Sequence, residues 1–136
     1  MDYFFAYGTL RQATATDIHQ VLIRYGEYFS SGFLQGKLYE IDGYPGAVES
    51  TSPGDKVIGE LYKIASAQVL PLLDEYEECS DRFPKPHEYI RKKVSIVLPD
   101  GANIRAWAYV YNRDVTNLII INSGDYLSYP FCMKTI

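Results

Sequence analysis

Two cysteines, Cys79 and Cys132, and two histidines, His19 and His87, are all that a chain of 136 residues offers a soft metal, and none falls at a ligand spacing. A zinc centre is therefore not expected, and two lone cysteines read as free thiols of a reducing compartment rather than as a disulfide framework. No apolar run approaches the roughly 20 residues that a helix needs to span a bilayer. The start, Met1-Asp2-Tyr3, has no basic segment of the kind that opens a secretory signal. A cytoplasmic, soluble protein without a membrane partner is the expectation. A basic stripe is missing too: net charge is -4, and the only basic run is Arg91-Lys92-Lys93, whose members alternate in face on a strand. Nucleic acid is not expected as a partner, because a phosphate-backbone binder needs a continuous cationic surface. Repeats, low-complexity tracts and linkers are likewise absent, so residues 1–136 read as one domain with a core of its own.

Tyrosine is abundant, with 13 copies. Each combines an apolar ring with a polar tip, which suits both half-buried strands and the lining of a small polar pocket. Tyr3-Phe4-Phe5-Ala6 reads as a buried strand. Ile18, Val21, Leu22 and Tyr25 have helical spacing, with Thr16 as N-cap and Gly26 as stop. Phe33, Leu34, Leu38, Tyr39 and Ile41 form a strand-like stretch broken by Gly32 and Gly36, followed by a turn at Asp42-Gly43-Tyr44-Pro45-Gly46. Thr51 to Asp55 is a loop and Val57 to Ile64 a strand. Val69, Leu70, Leu73 and Tyr76 then give one face of a helix that Ser66 can cap and whose upstream extent Pro71 limits. Pro84 and Pro86 mark a surface loop after Glu77. Tyr89 to Leu98 and Asn103 to Tyr111 are strands joined at Pro99-Asp100-Gly101-Ala102, where Asp-Gly supplies the hairpin turn. Leu118 to Ile121 is apolar throughout and too short to be typed by periodicity. Many strands with two or three short helices in one domain give an α+β fold.

Four short runs carry the chemistry. Tyr7-Gly8-Thr9-Leu10 follows the first strand, and Gly8 lets the backbone leave it with its amides bare, a geometry that holds a small anion. Leu73-Asp74-Glu75-Tyr76-Glu77 closes the second helical segment and leaves the Glu77 carboxylate near its end. There the helix dipole disfavours negative charge and is expected to raise the pKa, as a base for neutral-pH proton transfer requires. Tyr44-Pro45-Gly46 and Tyr89-Ile90-Arg91 complete the set. In this order, these runs resemble those of the gamma-glutamylcyclotransferase-like family, which includes AIG2-like and gamma-glutamylamine cyclotransferase proteins. The resemblance extends from Tyr3 to about Leu127. One position departs from it: Glu78 stands where the family usually carries a glycine after its catalytic glutamate.

The resemblance implies a small, mostly antiparallel, barrel-like mixed sheet with short helices outside it. It also implies a cyclotransferase, an enzyme that turns a gamma-glutamyl amine or gamma-glutamyl amino acid into 5-oxoproline and free amine. Glu77 takes the place of the catalytic glutamate, and the Tyr7, Gly8, Thr9 and Leu10 stretch that of the substrate loop. Tyr44 and Tyr109 are candidate pocket residues. Arg91 either forks a substrate carboxylate or pairs with an acid inside the protein. The alternative is a non-catalytic binding or regulatory module of the same fold, and a weaker one is an interaction domain that uses exposed tyrosines. No cofactor is implied, because the substrate's own alpha-amine is the nucleophile. The partner is a small gamma-glutamyl compound, and the chain is expected to be a monomer or weak homo-oligomer. Cys79 and His87 have no chemical task in such a reaction. Release of 5-oxoproline should therefore survive EDTA and the Cys79→Ser substitution, measured by mass spectrometry; loss of the rate in a normally folded Cys79→Ser protein would move the nucleophile to the chain.

Overall fold

Phe4, Phe5 and Ala6 are consecutive and all buried, at 0%, 1% and 1% exposure, which a strand achieves only when both of its faces are covered. They lie on β1 (Asp2–Ala6), and the rest of the architecture encloses that strand. The structure, a computed structural model, describes residues 2–7, 24, 26–41, 44–64, 69–76 and 88–125, the side chains of Tyr44, Glu75 and Tyr76 excepted. The further strands are β2 (Gly26–Leu34), β3 (Gly36–Ile41), β4 (Tyr44–Glu49), β5 (Val57–Ile64), β6 (Tyr89–Val97), β7 (Asn103–Tyr111) and β8 (Ile119–Ile120). One helix, α1 (Val69–Tyr76), stands among the described residues.

β1, β5, β2, β6 and β7 form a closed barrel in that order, and β4, β3 and β8 form a 3-stranded sheet beside it. β1 runs antiparallel to β5 from Asp2↔Ile64 to Ala6↔Glu60, and β2 flanks β5 on the other side with a register shift between Tyr28 and Ser30. β2 meets β6 through Phe33↔Val97 and Leu34↔Ile96. The β6–β7 hairpin returns the chain, and β7 lies parallel to β1 at Phe4↔Trp107, which closes the ring. The small, largely antiparallel barrel-like mixed sheet implied by the family resemblance is thus the observed one.

The period of two along the strands sorts side chains into two cores. Phe5, Leu34, Leu61, Val94 and Ile96 fill the barrel interior, and the small Ala106 and Ala108 of β7 leave them room. On the outside, Phe4, Ala6, Tyr62 and Ile64 pack under Val69, Leu70 and Leu73 of α1, together with Tyr89 and Tyr109. Pro71 falls near the N-terminal end of α1 as described, where a missing N–H breaks no bond; Ser66, the expected cap, lies outside the described residues. The Asp-Gly hairpin is present: Gly101 has φ 90°, its amide donates to the Leu98 carbonyl at 2.9 Å, and the Leu98 amide donates to the Ala102 carbonyl at 2.8 Å.

Two sequence expectations change. Tyr44-Pro45-Gly46 is not a turn but the start of β4, paired residue by residue with β3. β4 is an edge of its sheet, so Pro45, opposite Glu40, can stand there without the N–H that an inner strand would need. β2 also begins earlier than the apolar pattern indicates, at Gly26. Its first residues are mostly exposed and show no alternation; their extended form comes from backbone pairing with β5. The untyped run Leu118 to Ile121 resolves into the two-residue β8, with Ile121 buried beyond it. Of the helix expected from Ile18 to Tyr25 only Arg24 is described, and it is helical; the loop after Glu77 lies outside the described residues. No described helix is long and apolar enough to cross a membrane.

Gly59, on β5, is a place where shape decides the residue. A Cβ there would meet the Ala6 carbonyl oxygen and Phe5 Cζ, both at 2.5 Å, and neither the β1 backbone nor a ring that is 1% exposed can withdraw. Gly59→Ala should cost about 1–3 kcal/mol as overpacking. Gly54→Ala, in open space, should leave the thermal midpoint nearly unchanged; equal midpoints for the two variants would contradict this packing.

Candidate functional site

The outer face of the β6–β7 hairpin, where α1 crosses it, gathers the described polar side chains that bear on function. Tyr89, Arg91 and Lys93 of β6 stand opposite Tyr111, Tyr109 and Trp107 of β7, so all six belong to one face. On α1, Asp74 follows Leu70 by four residues, which turns it toward the same surface that Leu70 covers. It meets the central cross-strand pair. Arg91 Nε donates to Asp74 Oδ1 at 2.8 Å and Nη2 to Oδ2 at 3.1 Å, and the Tyr109 hydroxyl donates to Oδ1 at 2.7 Å. The fork is bidentate and charge-assisted, the geometry in which an arginine fixes a carboxylate in plane as well as in distance. Arg91 also lies over the Trp107 ring at 4.7 Å, so its guanidinium is held both in its plane and from below.

Both ends of this pair are withdrawn from solvent, with side chains 23% and 17% exposed. The other ion pairs of β6 are more open and correspondingly weaker: Lys92 to Glu49 at 2.7 Å and Lys93 to Asp2 at 3.7 Å, all about half exposed. Lys92 and Lys93 are thus half-exposed charges on opposite faces of β6, as the alternation predicts.

Tyr7 joins the barrel to the small sheet. Its hydroxyl donates to the Tyr109 carbonyl at 2.6 Å and accepts from the Ala47 amide at 3.1 Å, so one oxygen ties β7 to β4. Tyr89 adds a parallel tie, donating to the Pro45 carbonyl at 2.8 Å. Tyr109 thereby holds two chain segments at once. Its carbonyl takes Tyr7, which immediately precedes Gly8, and its hydroxyl takes Asp74, three residues before Glu77.

Of the residues singled out in the sequence, Tyr7, Arg91 and Tyr109 are described, and they are brought together here. Arg91 takes the second of its two sequence alternatives, pairing with an acid inside the protein. Tyr44 is described in its backbone only. Gly8, Thr9, Leu10 and Glu77 lie outside the described residues, as do Cys79 and His87. Asp74 was missed by the sequence reading, although a signal was present: an acid four residues after Leu70 sits on the apolar stripe of an amphipathic helix and requires a cation across from it. Among the described residues, no cluster of His, Cys, Asp or Glu could hold a metal ion.

A closed mixed barrel with a lateral sheet, one outer helix and this tyrosine-rich junction defines a class already known from other chains. The family model for gamma-glutamyl cyclotransferase, AIG2-like, matches residues 4–128. The chain belongs to that family. A relative in Escherichia coli K12, the gamma-glutamylcyclotransferase family protein YtfP, is 35% identical over 124 residues, covering 90% of this chain and 94% of its own. A Methanocaldococcus jannaschii relative, whose gamma-glutamylcyclotransferase name is itself provisional, is 31% identical over 131 residues, with 95% of this chain and 98% of that one covered. The solution structure of the Escherichia coli protein superposes with a TM-score of 0.62 at 31% identity, covering 93% and 96% of the two chains. The crystal structure of a mouse AIG2-like protein, TM-score 0.64 at 22% identity over 88% of this chain and 84% of that one, shares the fold.

The Tyr7 junction makes a direct prediction. Tyr7→Phe keeps the ring but removes the hydroxyl that bridges the Ala47 amide and the Tyr109 carbonyl, a loss of about 1–3 kcal/mol. The thermal midpoint should fall accordingly. Tyr28→Phe, at a tyrosine that is 51% exposed, is the control and should leave it unchanged.

Proposed function

We propose that the chain is a cyclotransferase that converts a gamma-glutamyl amine or gamma-glutamyl amino acid to 5-oxoproline and free amine, with Glu77 as its general acid and base. The family match over residues 4–128 supports the reaction class. The observation that carries the assignment to these residues is the double engagement of Tyr109. The segments leading into the proposed anion cradle, Gly8 to Leu10, and into the proposed base, Glu77, are bonded to one and the same residue.

In this reaction the substrate's alpha-amine attacks its own side-chain carbonyl. A C–N bond closes the five-membered lactam, the bond to the leaving amine breaks, and the proton that Glu77 takes from the alpha-amine passes to the departing nitrogen. The nucleophile is already part of the substrate, so the site's main task is to hold one reactive conformer. Backbone amides at Gly8 to Leu10 bind the alpha-carboxylate or the developing oxyanion.

Glu78, in the position where the family usually has glycine, is the one feature that favours the second reading, a binding module without turnover. A panel of gamma-glutamyl amines and gamma-glutamyl amino acids, scored for 5-oxoproline by mass spectrometry, separates the two; ligand binding without product from any member would establish the module. For the enzyme, Glu77→Gln should lower kcat about 100-fold or more while binding persists, since the amide keeps shape but accepts no proton. Glu75→Gln should be nearly silent, and equal losses from both would point to general electrostatics in place of a specific base.

A further inference from the structure

We propose that Asp74 is a positioning residue for the cyclisation: seated by the Arg91 fork and the Tyr109 hydroxyl, it fixes the end of α1 and with it the placement of the Glu77 carboxylate against the loop that follows Tyr7. The inference rests on the reading of Glu77 as the base.

Asp74 stands at a helix position where an apolar side chain would serve packing as well. Leu70 lies one turn before it and the fully buried Leu73 beside it, in the layer formed by Phe4 and Tyr109. A carboxylate withdrawn from water at such a position is costly, and replacing a buried ion pair by apolar groups is often neutral or stabilising. What the carboxylate contributes that a leucine would not is direction. Among the described residues, its two oxygens accept from Arg91 Nε, Arg91 Nη2 and the Tyr109 hydroxyl, at 2.8, 3.1 and 2.7 Å. Three bonds of that length on one planar group fix the rotation of α1 about its axis as well as its height on the sheet. Hydrophobic contacts alone leave both freer.

The reach of the chain makes this relevant to Glu77. Three residues span at most about 11 Å fully extended, so fixing the Asp74 backbone bounds how far from it Glu77 can lie. The counterpart is fixed from the same residue, since the Tyr109 carbonyl holds the Tyr7 hydroxyl one position ahead of Gly8. A base and an anion cradle that must both meet one small substrate are thus referenced to one strand position. Misplacement by about 1 Å is enough to cost on the order of 100-fold in such a reaction.

The test compares Asp74→Asn, Tyr109→Phe and their double variant with the wild type and Glu77→Gln, in the full chain, on whichever gamma-glutamyl substrate the wild type turns over best. Assays run well below each variant's unfolding midpoint, with the fluorescence of Trp107, the only tryptophan, reporting that the Arg91 stack is retained. Tyr109→Phe removes one oxygen and keeps the backbone carbonyl, so it remains folded if Asp74→Asn does not. The expected result is a fall in kcat of about 10- to 100-fold with KM within about two-fold, and a double variant no worse than Asp74→Asn alone, because groups acting as a unit are not additive. A purely structural role would lower the midpoint and leave kcat of the folded protein unchanged. Wild-type kcat in Tyr109→Phe and Asp74→Asn, with Glu77→Gln inactive, would overturn this inference and leave the cyclotransferase reading standing. Full activity in Glu77→Gln would remove that reading and this inference together.

Discussion

The parallel contact of β1 with β7 is the constraint on which the rest of the molecule depends. Without it the sheet is an open array with two edges, and β1 has an uncovered row of amides and carbonyls. With it, β1 is an inner strand, bonded to β5 on one side and meeting β7 at Phe4↔Trp107 on the other. Its consecutive aromatics then divide between two cores, Phe5 inside the barrel and Phe4 under the helix. Closure also sets where the chain emerges from β1. Tyr7 arrives beside β7 and β4, and its hydroxyl can bond to both.

Tyrosine is the material of this junction. Tyr7, Tyr89 and Tyr109 each bury a ring and extend a hydroxyl to an acceptor on a different element: β7, β4 and α1 in turn. A phenylalanine in any of these places would fill the same space and leave the layers free to slide. The hydroxyls convert a packed contact into one with a defined register. The high tyrosine content, which in the sequence is compatible with pocket lining or with half-buried strands, is at these three positions used to join layers.

Much of this was legible in the sequence where one signal dominated. Val57 to Ile64 and the Asp100-Gly101 hairpin followed from alternation and turn chemistry, and the position of α1 from its apolar face and Pro71. Legibility failed where structure is imposed by a neighbour. The first half of β2 has no alternating pattern because β5 supplies its pairing, and Tyr44-Pro45-Gly46 carries turn residues that an edge strand also tolerates. The candidate site shows the same division. Tyr7 and Arg91 were marked by their runs and Tyr109 as a candidate pocket residue, whereas Asp74, though inside the Leu73 to Glu77 run, was given no role, since its meaning lies in a cation 17 positions away that only the fold brings across from it.

Closure of the barrel by β1 and β7 also orders events during synthesis. Tyr7 and Tyr109, which the fold joins through one hydrogen bond, are 102 positions apart in sequence. Translation at about 5–20 residues per second leaves an interval of seconds in which Tyr3-Phe4-Phe5-Ala6 has been made and its second neighbour has not. During that interval a short apolar strand with one open side is available to other chains, the condition under which nascent proteins aggregate or engage chaperones. The pair Phe4-Phe5, which anchors the finished barrel, thus waits through that interval for its second neighbour.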